Sequence, residues 1–159
     1  MAKQEFNAYS KEVFKRFTNP KHLGEIENPD GFGRVWNPNC GDIMEIYFKM
    51  DKKKGKIKYI KFNTFGCVSA IASSDALCDI AKGKTIEEAK KINNKDIIEK
   101  LKGLPVIKIH CSVLGAQGLK KAILDYESKH GKEINKKELK EIDEETENMH
   151  CSDGECERK

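Results

Sequence analysis

Hydrophobic positions first recur along the chain at the spacing of a helix. Four residues fall on one face of it: Tyr9, Val13, Phe14 and Phe17. Asn19 and Pro20 are expected to end this helix, because a proline cannot continue one. The next stretch, residues 20–33, contains two prolines and three glycines and is therefore expected to be a loop.

Alternation of apolar and polar positions then predicts three strands. They cover residues 34–36, residues 42–50 and residues 56–65, with apolar side chains at every second position from Met44 to Met50. The charged run at 51–55 is expected to be a tight turn. Three successive strands with short connections predict an antiparallel meander.

After the third strand the hydrophobic period becomes helical. One stripe, which Gly83 closes, contains Ala70, Ser74, Leu77, Cys78 and Ala81. Thr85 and Glu88 have the spacing of a capping box, and Asn94 is expected to cap a further helix. The longest helical pattern places five residues on one face of a helix: Val113, Ala116, Leu119, Ile123 and Tyr126. Strands followed by helices predict an α+β fold, with a small three-stranded antiparallel sheet and helices on one of its faces.

Charge divides this chain of 159 residues, of which 35% are charged. Residues 131–159 contain 6 basic and 10 acidic side chains, so residues 1–130 are more basic than the overall net charge of +4 indicates. We therefore predict a domain over 1–130 and an acidic, partly disordered extension over 131–159, in which 136–147 form a solvated helix. The basic domain is expected to attract an acidic protein surface, but a net charge this small does not indicate nucleic acid.

The location expected from the sequence is the cytoplasm. No apolar run approaches the ~18 residues of a membrane span, and the first residues lack the apolar stretch of a signal peptide. In a reducing compartment the six cysteines are expected to be thiols, which favours metal or sulfur chemistry over disulfides.

Three cysteines lie at boundaries between predicted elements. Cys40 lies in a loop between two strands, whereas Cys67 and Cys111 each lie at the start of a helix. Amide groups at a helix N-terminus stabilise a thiolate, so the pKa values of these two thiols are expected to be lowered. Asp42 and His110 lie close to them in sequence, and the five side chains together predict a metal site.

The other cysteines and histidines carry a weaker signal. Cys78 shares the hydrophobic stripe of its helix and is expected to be a core residue. Cys151 and Cys156, with His150, are interpreted as part of a flexible surface tail, and a labile metal or sulfur site there is the less favoured alternative. Two histidines have no partner in the sequence and are expected to face solvent: His22 and His130.

Three other functions remain open from the residues alone. The thiols could hold a structural zinc ion, or they could belong to a thiol oxidoreductase. His110 and Cys111 could also be a catalytic pair, but adjacent residues rarely direct both side chains at one reacting atom.

Three segments resemble the signature of the IscU/NifU-type iron–sulfur cluster scaffold proteins. They are NCGD at 39–42, TFGCVSAIASS at 64–74 and KIHCS at 108–112. The resemblance covers roughly residues 8–129 and implies the IscU/SufE-like fold. It also implies a scaffold and not an enzyme. Such a scaffold accepts sulfur from a cysteine desulfurase, binds iron, assembles a [2Fe–2S] cluster and passes the cluster to apo-proteins.

The resemblance also implies roles for individual residues. Cys40, Cys67 and Cys111 would be cluster ligands, and Asp42 or His110 would be the fourth. Cys111 would accept the persulfide and Asp42 would promote cluster release. Without a cluster, the same residues would bind Zn²⁺, which accepts thiolate and imidazole ligands.

One segment departs from the bacterial pattern. Bacterial members carry Leu-Pro-Pro-Val-Lys, which a dedicated chaperone pair reads, whereas this chain has Leu104-Pro105-Val106-Ile107-Lys108. We therefore do not expect recognition by such a pair.

Overall fold

The centre of the structure is a three-stranded antiparallel sheet. The computed structural model describes residues 9–38, 41–105, 108–131, 136–147, 149–152 and 155–158, with backbone alone for 110, 146–147 and the last two segments. The strands are β1 (Gly31–Trp36), β2 (Ile43–Asp51) and β3 (Lys56–Phe65), in the order β1-β2-β3. The predicted meander is confirmed.

The first strand begins earlier than the sequence indicated. Residues 31–33 were expected to be loop, yet Gly31 pairs with Phe48 and Gly33 pairs with Ile46. Glycine is a poor strand former, so residue propensities did not predict a strand here. The loop prediction is wrong at this end.

Six helices and a separate two-stranded hairpin accompany the sheet in the described residues. The helices are α1 (Lys11–Thr18), α2 (Val68–Ala81), α3 (Ile86–Lys90), α4 (Asn94–Lys100), α5 (Ile109–Lys129) and α6 (Lys136–Glu147). The hairpin consists of β4 (Met149–Ser152) and β5 (Glu155–Arg158), where the composition predicted disorder. None of the helices described is long and apolar enough to cross a membrane.

The helix starts follow from side-chain caps. Thr85 and Glu88 form the predicted capping box of α3. The cap of α4 is Asn93 and not the predicted Asn94, because Asn93 accepts from the amide of Asp96 while the Asp96 carboxylate accepts from the amide of Asn93. Each box satisfies two backbone groups that a bare helix end would leave without partners.

The core lies between one face of the sheet and helices α2 and α5. Met44, Ile46 and Phe48 of β2 are fully buried on that face, as their alternation predicted. Most of α2 is buried around its whole circumference, not only along the predicted stripe. This arrangement confirms the α+β fold with helices packed on one face of the sheet.

Helix α5 approaches β1 so closely that only glycine fits between them. A Cβ atom on Gly33 would lie 2.3 Å from the carbonyl oxygen of Gly118 and 2.4 Å from the amide nitrogen of Ala122. Real atoms do not approach this closely without backbone movement. The contact therefore fixes the position of α5 on the sheet.

A buried ionic network connects α1 and the segment after it to α2. Arg16 lies 2.8 Å from Asp75 and 2.7 Å from Asp79. His22, which was expected to face solvent, directs Nε2 at Asp79 over 2.7 Å, so that expectation is wrong. His130 is exposed, as predicted.

Helix α6 packs on the domain instead of lying free in solvent. The predicted helix over Lys136–Glu147 is confirmed, but it is not solvated throughout, because Ile142 is only 3% exposed. Asp143 forms an ion pair with Lys121, and Glu145 accepts from the buried side chain of Gln117. One aliphatic face and two polar contacts therefore hold α6 against α5.

We predict that Ile142→Ala lowers the free energy of unfolding by about 2 kcal/mol, the low end for a buried isoleucine truncated to alanine. The matched control is Glu144→Ala on the same helix, since the ion pair of Glu144 with Lys140 is exposed and should contribute under ~0.5 kcal/mol. Denaturant unfolding of the full chain measures both. Equal stabilities for the two variants would show that α6 is not packed.

Candidate metal centre

Three of the five residues predicted for the metal site meet at one end of the sheet. Asp42 precedes β2, Cys67 is the N-cap of α2, and Cys111 lies in the first turn of α5. Their ligand atoms all lie within 4.8 Å of one another. The fold therefore brings together side chains that are far apart in sequence.

The two sulfur atoms have a separation that suits one metal ion. The Sγ atoms of Cys67 and Cys111 are 3.5 Å apart. Two thiolates on one tetrahedral ion, each with a bond of about 2.3 Å, would lie about 3.8 Å apart. The carboxylate of Asp42 can supply a third ligand from the same side. The donors thus fit a single Zn²⁺ or iron ion and leave room for a fourth ligand.

One proton is shared between the two thiols, and this gives them opposite pKa shifts. The hydrogen bond from Cys111 lowers the pKa of Cys67 to about 5, against the opposing effect of burial, with help from the first amides of α2 at Ala70 and Ser69. That same bond, together with burial, raises the pKa of Cys111 far above its usual range. Cys67 is therefore the thiolate and Cys111 the thiol.

This result corrects half of the expectation from the sequence. A lowered pKa was predicted for both thiols from their places at helix starts, and it is found only for Cys67. The hydrogen bond with Cys67, full burial, and the negative charges of Cys67 and Asp42 all raise the pKa of Cys111. Cys67 is the thiol that ionises, because it also accepts hydrogen bonds from the first amides of α2.

A lysine at the site was missed from the sequence. The charge of Lys108 favours the thiolate form of both cysteines, and at Cys111 this effect is smaller than the causes that raise the pKa. The signal was available, because Lys108 directly precedes the helix that carries Cys111. Among thirty basic residues, however, it did not stand out.

Glycine makes room for the carboxylate beside the thiolate. A Cβ atom on Gly66 would lie 2.7 Å from the Cβ of Ala70 and 3.4 Å from Cγ of Asp42. Any larger residue at this position would displace the start of α2 or the carboxylate. Gly66 thus allows Asp42 and Cys67 to approach one another.

The other two predicted ligands are Cys40 and His110. Cys40 lies outside the described residues. His110 belongs to α5, next to Cys111, and the description covers its backbone. The predicted role of Cys40 as a ligand, and the choice between Asp42 and His110 as the fourth ligand, therefore stay predictions. Cys78 is fully buried in the core, as predicted, and burial raises its pKa well above the ordinary value.

Comparison with protein families gives one match across most of the chain. Residues 8–133 match the family described as NifU-like N terminal domain. The scaffold protein IscU 1 for iron–sulfur cluster assembly of Archaeoglobus fulgidus is 53% identical over 131 residues, which are 82% of this chain and 84% of that protein. The scaffold protein IscU of Escherichia coli K12 is 45% identical over 125 residues, which are 77% of this chain and 96% of that protein.

A solved structure has the same fold. The crystal structure of an N-terminal NifU-like protein from Brucella abortus matches with a TM-score of 0.63 and 18% identity, over 77% of this chain and 96% of that one. The IscU/NifU-type fold expected from the sequence motifs is confirmed. Helix α6 and the β4–β5 hairpin lie beyond the residues that the family matches.

We predict that Cys67 stays reactive at low pH. With a pKa of about 5, its thiolate persists as the pH falls from 8 to 6. An ordinary thiol has a pKa near 8.5, so its thiolate fraction and its labelling rate fall almost tenfold for each pH unit over this range. Iodoacetamide labelling of the metal-free full chain, followed by peptide mass spectrometry, measures the rate at each cysteine.

The matched control for this prediction is Cys111→Ala, which removes the hydrogen-bond donor. In that variant the labelling of Cys67 should fall steeply below pH 8. An identical pH profile in both proteins would contradict the shared proton.

Proposed function

Because this chain belongs to the NifU-like N-terminal family, we propose that it builds a [2Fe–2S] cluster from iron and sulfur and passes it to apo-proteins. It is an iron–sulfur cluster assembly scaffold and not an enzyme. The iron and the sulfur are cargo, which the protein collects, holds and releases. The observation that carries this proposal is the convergence of Asp42, Cys67 and Cys111 within 4.8 Å.

Iron would enter first at the Asp42–Cys67–Cys111 site. The Cys67 thiolate and the Asp42 carboxylate already present negative charge to a cation. Binding of the metal would remove the proton of Cys111, because a coordinating thiol is deprotonated. Cys40 and either Asp42 or His110 would complete the ligands of the cluster, as the family resemblance implies.

Sulfur would arrive from a cysteine desulfurase as a persulfide on Cys111. Cys111 is fully buried, while Cys67 and Asp42 are partly exposed. The donor must therefore approach from the side of Cys67, and the site must open before sulfur reaches Cys111. These thiols have to stay reduced, which suits a compartment such as the cytoplasm.

An exposed apolar row beside the site offers a surface for this donor. Trp36, Ile43 and Phe65 are paired across β1, β2 and β3 at the end of the sheet that carries Asp42 and Cys67. Phe65 is 74% exposed and Trp36 is 57% exposed. Aromatic side chains this accessible are typical of protein interfaces. We propose that the desulfurase, and later the recipient of the cluster, contact this row.

The carboxylate of Asp42 would make the cluster easy to release. A scaffold must hold its cluster and also give it up, and four thiolates would favour holding. A carboxylate oxygen is a harder ligand than a thiolate, so its bond to a sulfur-bridged iron is weaker and exchanges more readily. Asp42 also adds negative charge to a site that already contains thiolates.

Anaerobic reconstitution of the full chain with iron, sulfide and reductant tests the function. A scaffold should develop the reddish-brown charge-transfer bands of a cluster and lose them when apo-ferredoxin is added. The same donors also fit zinc, so a structural zinc protein is the second candidate. A chain that stays colourless and retains zinc against a strong chelator would contradict the scaffold.

We predict that Asp42→Ala still assembles a cluster but transfers it to apo-ferredoxin several-fold more slowly, because the weakest ligand has been lost. Absorbance during transfer measures the rate. The matched control is Asp51→Ala, at the other end of β2, where the carboxylate accepts from the turn amides of Lys53 and Lys54.

The alternative is that Asp42 only supports the start of β2. In that case Asp42→Ala would lower thermal stability, as Asp51→Ala should, and leave the transfer rate alone. An unchanged or faster transfer would overturn the proposed role.

A further inference from the structure

Two cysteines outside the family match lie opposite one another in the C-terminal hairpin. Strands β4 and β5 pair in a register that makes Cys151 and Cys156 direct partners, with Ser152 and Glu155 as the next pair. The two residues between the strands are Asp and Gly, a preferred sequence for a two-residue hairpin loop. Their backbones are thus positioned for an intramolecular disulfide.

The position of this pair in the hairpin favours such a bond. In a hairpin with a two-residue loop, the pair beside the loop exchanges hydrogen bonds, and the next pair is of the non-hydrogen-bonded kind. Residues in such a pair have Cα atoms about 4.5 Å apart, inside the range of ~4.4–6.8 Å found for disulfides. The two cysteines can therefore form and break a disulfide without a change in the pairing of the strands.

Helix α6 runs antiparallel to α5, so its C-terminal end lies toward the start of α5. Leu139, early in α6, lines a cavity together with Ser128, late in α5. Further along, Asp143 pairs with Lys121 and Glu145 contacts Gln117. Each step toward the end of α6 is thus a step toward the start of α5, where Cys111 lies.

The lengths of the segments allow the hairpin to reach the level of Cys111 along the axis of α5. From Gln117 to Cys111, α5 rises about 9 Å at 1.5 Å per residue. Beyond Glu145, α6 adds about 3 Å, and the four steps from Glu147 to Cys151 span up to about 13 Å when extended. The Cα atom of Cys151 can therefore reach the level of Cys111.

We propose that Cys151 and Cys156 form a dithiol that reduces the persulfide sulfur on Cys111 to sulfide. This inference rests on the proposed function, because the persulfide is the sulfur that the desulfurase delivers. That sulfur arrives at the oxidation level of elemental sulfur, whereas the bridging atoms of a [2Fe–2S] cluster are sulfide. Two electrons per sulfur atom are required, and a dithiol supplies two.

The reaction balances in two displacement steps. The Cys151 thiolate attacks the outer sulfur of the Cys111 persulfide, the sulfur–sulfur bond breaks, and Cys111 leaves as a thiolate. The Cys156 thiolate then attacks Sγ of Cys151, a disulfide forms between them, and hydrosulfide leaves. The dithiol loses two electrons and two protons, and the sulfur atom gains the electrons. A cellular thiol reductant would restore the dithiol for the next sulfur.

A rival reaction lies within the metal centre. Cys67 is 3.5 Å from Cys111 and could attack it directly, which would expel hydrosulfide and leave a Cys67–Cys111 disulfide. The product identifies the path, because the two reactions leave different disulfides.

The test uses the full chain, free of metal and loaded with persulfide by inorganic polysulfide. After removal of excess polysulfide, released sulfide is assayed and the disulfides are mapped by mass spectrometry. We expect about one sulfide per persulfide and a Cys151–Cys156 disulfide. The double variant Cys151→Ser/Cys156→Ser should release sulfide at least tenfold more slowly, and Cys156→Ser should retain sulfur on Cys151.

The matched control is Ser152→Ala, which changes the hairpin without removing a thiol and should behave as the unaltered chain. Equal sulfide release by the double variant, or a Cys67–Cys111 disulfide in the unaltered chain, would overturn the proposal. Reconstitution from iron and preformed sulfide separates it from the function proposed above. That assay bypasses the reduction step, so the double variant should assemble a cluster normally, and failure of the unaltered chain there would contradict the scaffold itself.

Discussion

The steric contact between β1 and α5 is the constraint on which the metal centre depends. Gly33 touches the backbone of α5 at Gly118 and Ala122, where any side chain would collide. Because the contact joins two backbones, it sets both the height and the axial position of α5. Cys111 lies seven residues before Gly118, about 10 Å along the helix toward the end of the sheet where β2 begins. The distance between the two thiols is therefore set by packing some way from either of them.

The proton shared by the thiols allows this site to exist without metal. Two thiolates 3.5 Å apart, beside a carboxylate, would repel one another strongly in a partly buried site. A proton on Cys111 removes one of these charges and supplies a hydrogen bond instead. Metal and proton thus compete for the same pair of sulfurs. The ligands stay together whether the cargo is bound or has left, which is what a scaffold requires.

The sequence predicted those features that depend on local pattern. The strands of the meander, the capping box at Thr85 and the buried position of Cys78 all follow from spacing within a few residues. It did not predict features that depend on distant partners. His22 meets Asp79, 57 residues away, and the pKa of Cys111 is set by Cys67, 44 residues away. No periodicity within one segment contains that information.

The charged extension shows a second limit of prediction from sequence, which concerns composition. Its composition indicated a solvated helix, and most of α6 agrees with that description. Ile142 does not, because it is buried in the core, and Leu139 packs partly buried against the same core. Average composition over a segment measures how much apolar surface it has, and it cannot show that one residue meets a complementary surface. These apolar contacts, together with the ion pair of Asp143 and the hydrogen bond to Glu145, hold α6 along α5.

The two helices that carry the thiols are thus located by different forces. Helix α5 is positioned by backbone contact with glycine. Helix α2 is buried on nearly all sides, and its surface of small residues would allow the helix to shift along its axis. Its position is fixed by Asp75, which is 1% exposed and accepts from Arg16 and from the amides of Lys21 and His22. A buried carboxylate with three donors has one low-energy position, since any shift would leave charge unpaired in the interior. The N-cap of α2, and with it the Cys67 thiolate, is held in place by a charge two helical turns away.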